Sequence, residues 1–250
     1  MQKDLKSYLA HHSSYSDPNV NSLAKNIELH ERYRLENLFV LNGFELAIKL
    51  TSCLPSTHID IGSGTGWLLR YTSRLFKNVI GIEPSEPAVK VAQQIYTSYP
   101  NISFVNQDMV DALQTLSPSD PVFLTTAIVL SHINNEYVAY FLAKVNELPI
   151  GSVLYFDEGY DKNINTNLWY IRSRQWWAKN LPNWQIVFLN LDISGYKRGI
   201  YGVCVGDMNV LPMNTMGKIE KLAWNTQGLY YTLRSSILRS TYNTLSMLRR

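Results

Sequence analysis

The chain has 250 residues, 46% of them hydrophobic, and a formal net charge of +3 with a sequence pI near 8.7. That length can bury a full core within one large domain, and so mild a charge disfavours a dedicated nucleic-acid binder. Two cysteines without metal-ligand spacing, Cys53 and Cys204, argue against a disulfide framework and a zinc site. With a polar N-terminus and no run of roughly 18 apolar residues, a cytoplasmic location is expected.

In chain order, residues 1 to about 25 lack a steady apolar period and read as an arm or lid. From Ile27 to about Cys53, apolar residues recur at three- and four-residue steps through Leu35, Leu38, Phe39, Leu46 and Leu50. This predicts two helices broken near Asn42-Gly43. After Pro55, short apolar runs alternate with helical stretches, as in βα units feeding a parallel sheet. Strands are expected at His58-Ile61, Val79-Ile82, Ile102-Val105, Pro121-Leu124, Ser152-Phe156, Trp184-Asn190 and Ile200-Val205, with helices starting near Gly66, Glu86, Met109, Asn135 and Asn167. The pattern describes an α/β, Rossmann-like, doubly wound and mostly parallel seven-stranded sheet, with N-terminal helices and a C-terminal helical extension. Three units are expected: 1–54, 55–208 and 209–250.

Chemistry concentrates at the carboxyl ends of the first three strands. Asp60-Ile61-Gly62-Ser63-Gly64-Thr65-Gly66 lies between a predicted strand and a predicted helix, where glycines let backbone approach a ligand and a helix presents unpaired N–H groups. Glu83, followed by Pro84, ends the second strand about 20 residues on, the place for an acid that holds ribose hydroxyls. Asp108, followed by Met109, comes just after the third strand, and its carboxylate can accept from an adenine amino group or cap the next helix.

The segment Asp60 to Asp108 resembles the S-adenosylmethionine (SAM)-binding half of class I methyltransferases. The resemblance implies SAM as cofactor, held by Asp60, Gly62, Ser63, Gly64, Gly66, Glu83, Pro84, Asp108, Met109 and Thr126. It extends through Leu124-Ile133 and Val153-Phe156, about Ile59 to Val205 in all. The family's usual Asp or Asn near the end of strand four is replaced by Thr126-Ala127, and the Asn/Asp-Pro-Pro-aromatic motif of enzymes that methylate base amino groups is absent. A hydroxyl acceptor follows as the expectation.

Methyl transfer to a hydroxyl needs in-line placement and removal of the acceptor's proton. His132, after strand four, is the candidate base; Asp157, Glu158 and Asp161, after strand five, are candidate bases or metal ligands if they do not merely line a solvated loop, and no metal is expected. Trp169, Arg172 and Trp176 fall at helical spacing on one side and could stack on sugar rings, or pack the helix on the sheet. Ser131 to Gly202 resembles glycan-modifying methyltransferases of bacterial surface polysaccharides, which implies a sugar or glycan terminus as acceptor.

Residues 209–250 carry six cations against Glu220 alone, a net +5 that leaves −2 on the rest. Leu233, Ile237, Thr241, Leu245 and Leu248 share one helical face, so this basic amphipathic segment is expected to pack, or to dock on a protein partner or the inner face of the membrane. Two alternatives stay open at this point: an RNA methyltransferase using this tail for phosphates, and a non-catalytic SAM-binding protein docking through it.

Overall fold

The computed structural model describes residues 34–160, 164–165, 170–193, 196–206 and 237. Trp169, Asp161 and, apart from Ile237, the basic C-terminal segment lie outside the described residues, as does the N-terminal arm. Among the described residues no helix is long and apolar enough to cross a membrane.

The chain runs α1 (Arg34–Leu50), β1 (Thr57–Ile61), α2 (Trp67–Thr72), β2 (Asn78–Ile82), α3 (Glu86–Ile95), β3 (Ile102–Val105), α4 (Met109–Leu116) and β4 (Val122–Ala127). A 3₁₀ turn (Leu130–His132), α5 (Asn135–Val145), β5 (Val153–Gly159), β6 (Ile164–Asn165), β7 (Tyr170–Ile171), α6 (Arg174–Asn180), β8 (Trp184–Ile193) and β9 (Tyr196–Cys204) follow. Seven strands form one sheet in the order β3-β2-β1-β4-β5-β9-β8, with β9 antiparallel to both β5 and β8 and the other pairs parallel. The order reverses between β1 and β4, which opens a crevice at their carboxyl ends, the usual ligand position in such sheets.

Helix starts are legible because side chains cap them. Ser85 Oγ accepts from Ala88 N, Asp108 from Val110 N and Asp111 N, Asn134 from Tyr137 N and Ser173 from Trp176 N. Side chains alternate across the sheet. One face packs Ile59, Ile61, Leu124, Leu154 and Phe156 on α4, α5 and Trp177. The other packs Val79, Phe123, Val153, Tyr155 and Tyr201 on Phe44, Leu46 and Ala47 of α1 and Leu69 of α2.

Three expectations change. The break at Asn42-Gly43 is absent: α1 is continuous, with Gly43 buried beside Phe44, so burial outweighs the roughly 1 kcal/mol a helical glycine costs. The helix expected from Asn167 begins only at Arg174, because Tyr170–Ile171 pairs instead with Ile164–Asn165 as a short antiparallel ribbon. β4 and β5 run to Ala127 and Gly159, past the expected Leu124 and Phe156, so Asp157 and Glu158 are strand residues, 1% and 2% exposed, and not loop residues.

Phe44 is fully buried among the rings of His58, Phe76, Phe123 and Tyr155. Phe44→Ala is therefore expected to lower unfolding free energy by about 3–5 kcal/mol, read as a reduced urea midpoint with little change in slope.

Candidate active site

The turn after β1 is built from three left-handed glycines, Gly62 at φ 69°, Gly64 at φ 55° and Gly66 at φ 83°. Gly62 N and Ser63 N both donate to Ile82 O, at 2.8 and 3.0 Å, which ties the turn to the end of β2. A Cβ on Gly62 would collide with Val129 Cγ2, and one on Gly66 would press on Tyr96 and Phe104, whereas one on Gly64 would meet open space. Gly64 therefore presents bare backbone to the crevice.

Glu83 closes the other side of this turn. Its carboxylate accepts from Gly64 N at 3.0 Å and from Ser85 N at 2.9 Å, and its carbonyl accepts from Asn106 Nδ2 at 3.0 Å. Burial raises its pKa and the two amide donors oppose that rise. Asp60, 4% exposed, accepts from Thr125 Oγ1 at 2.6 Å. Burial lifts its pKa to about 7 against the Thr125 hydrogen bond, with the charge of Glu83 adding to the rise.

Thr125 Oγ1 also lies 2.9 Å from His58 Nε2, and His58 Nδ1 lies 2.9 Å from Thr72 Oγ1. His58 is fully buried, and its pKa falls to about 3. Sequence reasoning does not single out His58, Thr125 or Thr72 as site residues. The available signal is that polar residues stand at alternate positions of a buried strand, His58 and Asp60 in β1 and Thr125 in β4.

Asp108 caps α4 through Val110 N and Asp111 N, and Oδ1 also accepts from Tyr137 Oη at 2.7 Å. Burial raises its pKa, but the Tyr137 hydroxyl and the amides more than offset this and hold it below the ordinary carboxylate value. The helix-cap reading is thus realised, on a carboxylate at the mouth of the third strand beside the buried Met109.

On the opposite face from Asp60, Glu158 accepts from Leu130 N at 2.8 Å, Ser131 N at 3.1 Å and Thr126 Oγ1 at 3.2 Å. Arg172 holds the same turn from its carbonyl side, donating to Leu130 O at 2.8 Å and to Ile133 O at 2.5 Å, and also to Tyr170 O at 3.1 Å. The turn carrying His132 is thus gripped by an acid on its amides and a guanidinium on its carbonyls. It leaves β4 through Ile128 at φ 60°, a left-handed conformation costly for a β-branched residue, on the order of 1–3 kcal/mol. Its Val129 rests against Gly62, joining this turn to the glycine turn.

Two expectations are corrected here. Asp157 and Glu158 do not converge, because consecutive strand residues point to opposite faces: Asp157 pairs with Arg198 at 2.7 Å while Glu158 holds the turn. Nor does Arg172 offer its guanidinium to solvent, since it is 2% exposed, spends its terminal nitrogens on carbonyls, and precedes α6 so that no helix aligns it with Trp169. Burial lowers its pKa to about 10, with Glu158 opposing. Trp176 does reach it, its ring centroid 5.0 Å from Arg172 Cζ.

Residues 59–148 match the family model described as "Methyltransferase domain". The fold is shared with magnesium protoporphyrin IX methyltransferase from Synechocystis PCC 6803 with bound S-adenosylhomocysteine (SAH), at 19% identity, 80% of this chain, 94% of that one and TM-score 0.53. The match to a methyltransferase domain thus lies on the part of the sheet, β1 to β4, that carries the glycine turn. Further structures of the same fold are the aminopentose methyltransferase CalS10 from Micromonospora echinaspora (12% identity, 70% and 96% covered, TM-score 0.55) and a SAM-dependent methyltransferase from Clostridium acetobutylicum (15%, 74% and 100%, 0.53). A search of curated protein sequences gives no match.

The residues of this site fit SAM on structural grounds: the open space over Gly64 admits a ligand against bare backbone, and the carboxylates of Glu83 and Asp108 stand at the neighbouring strand ends. Arg172→Met should strand two buried carbonyls and the Glu158 charge, with a loss of about 3–5 kcal/mol by chemical denaturation; Arg172→Lys, lacking the planar fork, should recover only part.

The buried pair also makes a pH prediction. His58 has its pKa lowered on folding, from 6.5 to about 3, so its contribution is present above pH 6.5 and lost as pH falls. Asp60 has its pKa raised, from 3.8 to about 7, so its contribution is present below pH 3.8 and lost as pH rises toward 7. The two slopes oppose each other in the overlap. Asp60→Asn should therefore make stability rise more steeply with pH between about 4 and 6.5 than in the wild type, as measured by denaturation at fixed ionic strength.

Proposed function

We propose that the protein transfers the methyl group of SAM to a hydroxyl, on a sugar or glycan terminus, with His132 as general base. The observation that carries this is the double grip of Glu158 and Arg172 on the turn bearing His132, at the carboxyl end of β4 and against Gly62 of the glycine turn. When bound, SAM supplies an electrophilic methyl on a sulfonium centre. On this reading Glu83 holds the ribose hydroxyls, Pro84 and Met109 flank the base, and Asp108 accepts from the adenine amino group. Gly62 to Gly66 and Asp60 cradle the remainder of the donor, and Thr126 stands on the wall between donor and acceptor. His132 takes the proton of the acceptor hydroxyl as its oxygen attacks, and a fixed turn keeps that imidazole in place.

The sugar reading draws on the half-buried rings of Tyr170 and Trp176, which lie 6.0 and 5.0 Å from Arg172 Cζ and so beside the same turn. A solved structure of this fold is described as an aminopentose methyltransferase, which agrees with a sugar acceptor without requiring one.

The test is SAH release with SAM and a panel of sugar, aromatic hydroxyl and amine acceptors. Transfer to a sugar hydroxyl is expected, and His132→Gln should lower kcat by about 10²–10⁴-fold while SAM affinity stays within a few-fold. Transfer only to amines or carboxylates would overturn the acceptor class. An unchanged kcat in the variant would remove His132 as base.

A further inference from the structure

Thr72, His58, Thr125 and Asp60 form a single buried chain running from α2 through the centre of the sheet to the glycine turn. Thr125 Oγ1 stands 2.6 Å from Asp60 Oδ1 and 2.9 Å from His58 Nε2, Thr72 Oγ1 stands 2.9 Å from His58 Nδ1, and Leu69 O accepts from Thr72 Oγ1 at 3.3 Å. A hydroxyl has one hydrogen to donate, and a neutral imidazole has one donor and one acceptor nitrogen. The chain therefore has two fully satisfied arrangements.

With Asp60 ionised, every donor points toward it: Thr72 O–H to Nδ1, Nε2–H to Thr125 Oγ1, and Thr125 O–H to the carboxylate. With Asp60 protonated, every donor points away: Asp60 O–H to Thr125, Thr125 O–H to Nε2, Nδ1–H to Thr72, and Thr72 O–H to Leu69 O. The difference is one proton taken from solvent and each hydrogen in the chain moved by one position, with no electron transferred. Protonating Asp60 on Oδ1, the oxygen that faces Thr125, without moving the imidazole proton would leave the Thr125 hydrogen buried with no acceptor, which is disfavoured.

We propose that Thr72, His58 and Thr125 are a reversible hydrogen-bond relay that sets the charge of Asp60, and that this relay makes the site discriminate cationic SAM from its neutral-sulfur product SAH. The inference rests on the SAM-dependent domain and is independent of the acceptor. A carboxylate in a low-dielectric site attracts the sulfonium charge, and by linkage the bound cation holds that carboxylate ionised. Methyl transfer removes the charge, so SAH lacks this hold.

The ionisable groups on the elements packed around Asp60 are consistent with this. Glu83 is the nearby carboxylate, held by Gly64 N and Ser85 N; Glu45 of α1 accepts from Tyr71 of α2 at 3.2 Å; Tyr155 and the Asp157–Arg198 pair lie on the same face farther along the sheet. None of these donates a hydrogen bond to Asp60, and the raised pKa of this carboxylate places its titration near neutral pH.

The test uses the full chain. Calorimetric Kd values for SAM and SAH from pH 6 to 8.5 give a ratio in which the shared adenosine and amino-acid tail cancel. Kd(SAH)/Kd(SAM) should rise by about tenfold over this range in the wild type, and should be flat in Asp60→Asn. In parallel, nitrogen shifts of labelled histidine should show His58 as the Nε2–H tautomer at high pH and the Nδ1–H tautomer at low pH, with a midpoint that SAM moves down further than SAH does. Thr125→Ser should keep the tautomer switch and Thr125→Val should abolish it. A flat wild-type ratio, or a His58 tautomer that does not change across the range, overturns the proposal even if neither variant folds.

Discussion

At the carboxyl edge of the sheet the backbone leaves its ladder, and the amides of the turns there are taken by buried or half-buried carboxylates. Glu83 takes Gly64 N and Ser85 N, Asp108 takes Val110 N and Asp111 N, and Glu158 takes Leu130 N and Ser131 N. An unpaired buried amide is costly, so Glu83 fixes the path of two turns and Asp108 and Glu158 of one each. Three carboxylates thereby hold the turns after β1, β2, β3 and β4 along one edge of the sheet.

The two sides of that crevice are organised from opposite faces of the sheet. Asp60, Thr125 and His58 lie on the face covered by α1 and α2, hydrogen-bonded in a row beneath the glycine turn. Glu158, Thr126 and Arg172 lie on the other face and grip the His132 turn. The two systems meet where Val129 fills the space that a Cβ on Gly62 would need. Position 62 therefore serves backbone conformation and contact between the two turns at once.

The aromatic segment before α6 shows how a side chain that reads as a ligand hand can be an internal fastener. Arg172 bridges Leu130 O and Ile133 O while lying 5.0 Å from the Trp176 ring, and Arg174 lies 4.9 Å from the Tyr160 ring. Trp177 is wholly buried against Phe156. Their stacking holds this segment on the sheet beside the turn that Arg172 grips.

The sequence by itself determined the strand–helix alternation, the terminal hairpin and the helix starts at Glu86, Met109 and Asn135, because hydrophobic period and capping residues are local signals. It also brought Gly62, Gly64, Gly66 and Glu83 to one edge of the sheet, since a tight strand-to-helix turn needs glycine and the next strand ends beside it. Only the tertiary structure decided that α1 runs unbroken through Gly43, that Asp157 and Glu158 face apart, that Arg172 turns inward, and that His58 and Thr125 form a chain to Asp60. The last three depend on hydrogen bonds between residues 14 to 67 apart, such as His58 with Thr72 or Thr125. Burial of a polar group is decided by whether such distant partners arrive, and no local pattern carries that information.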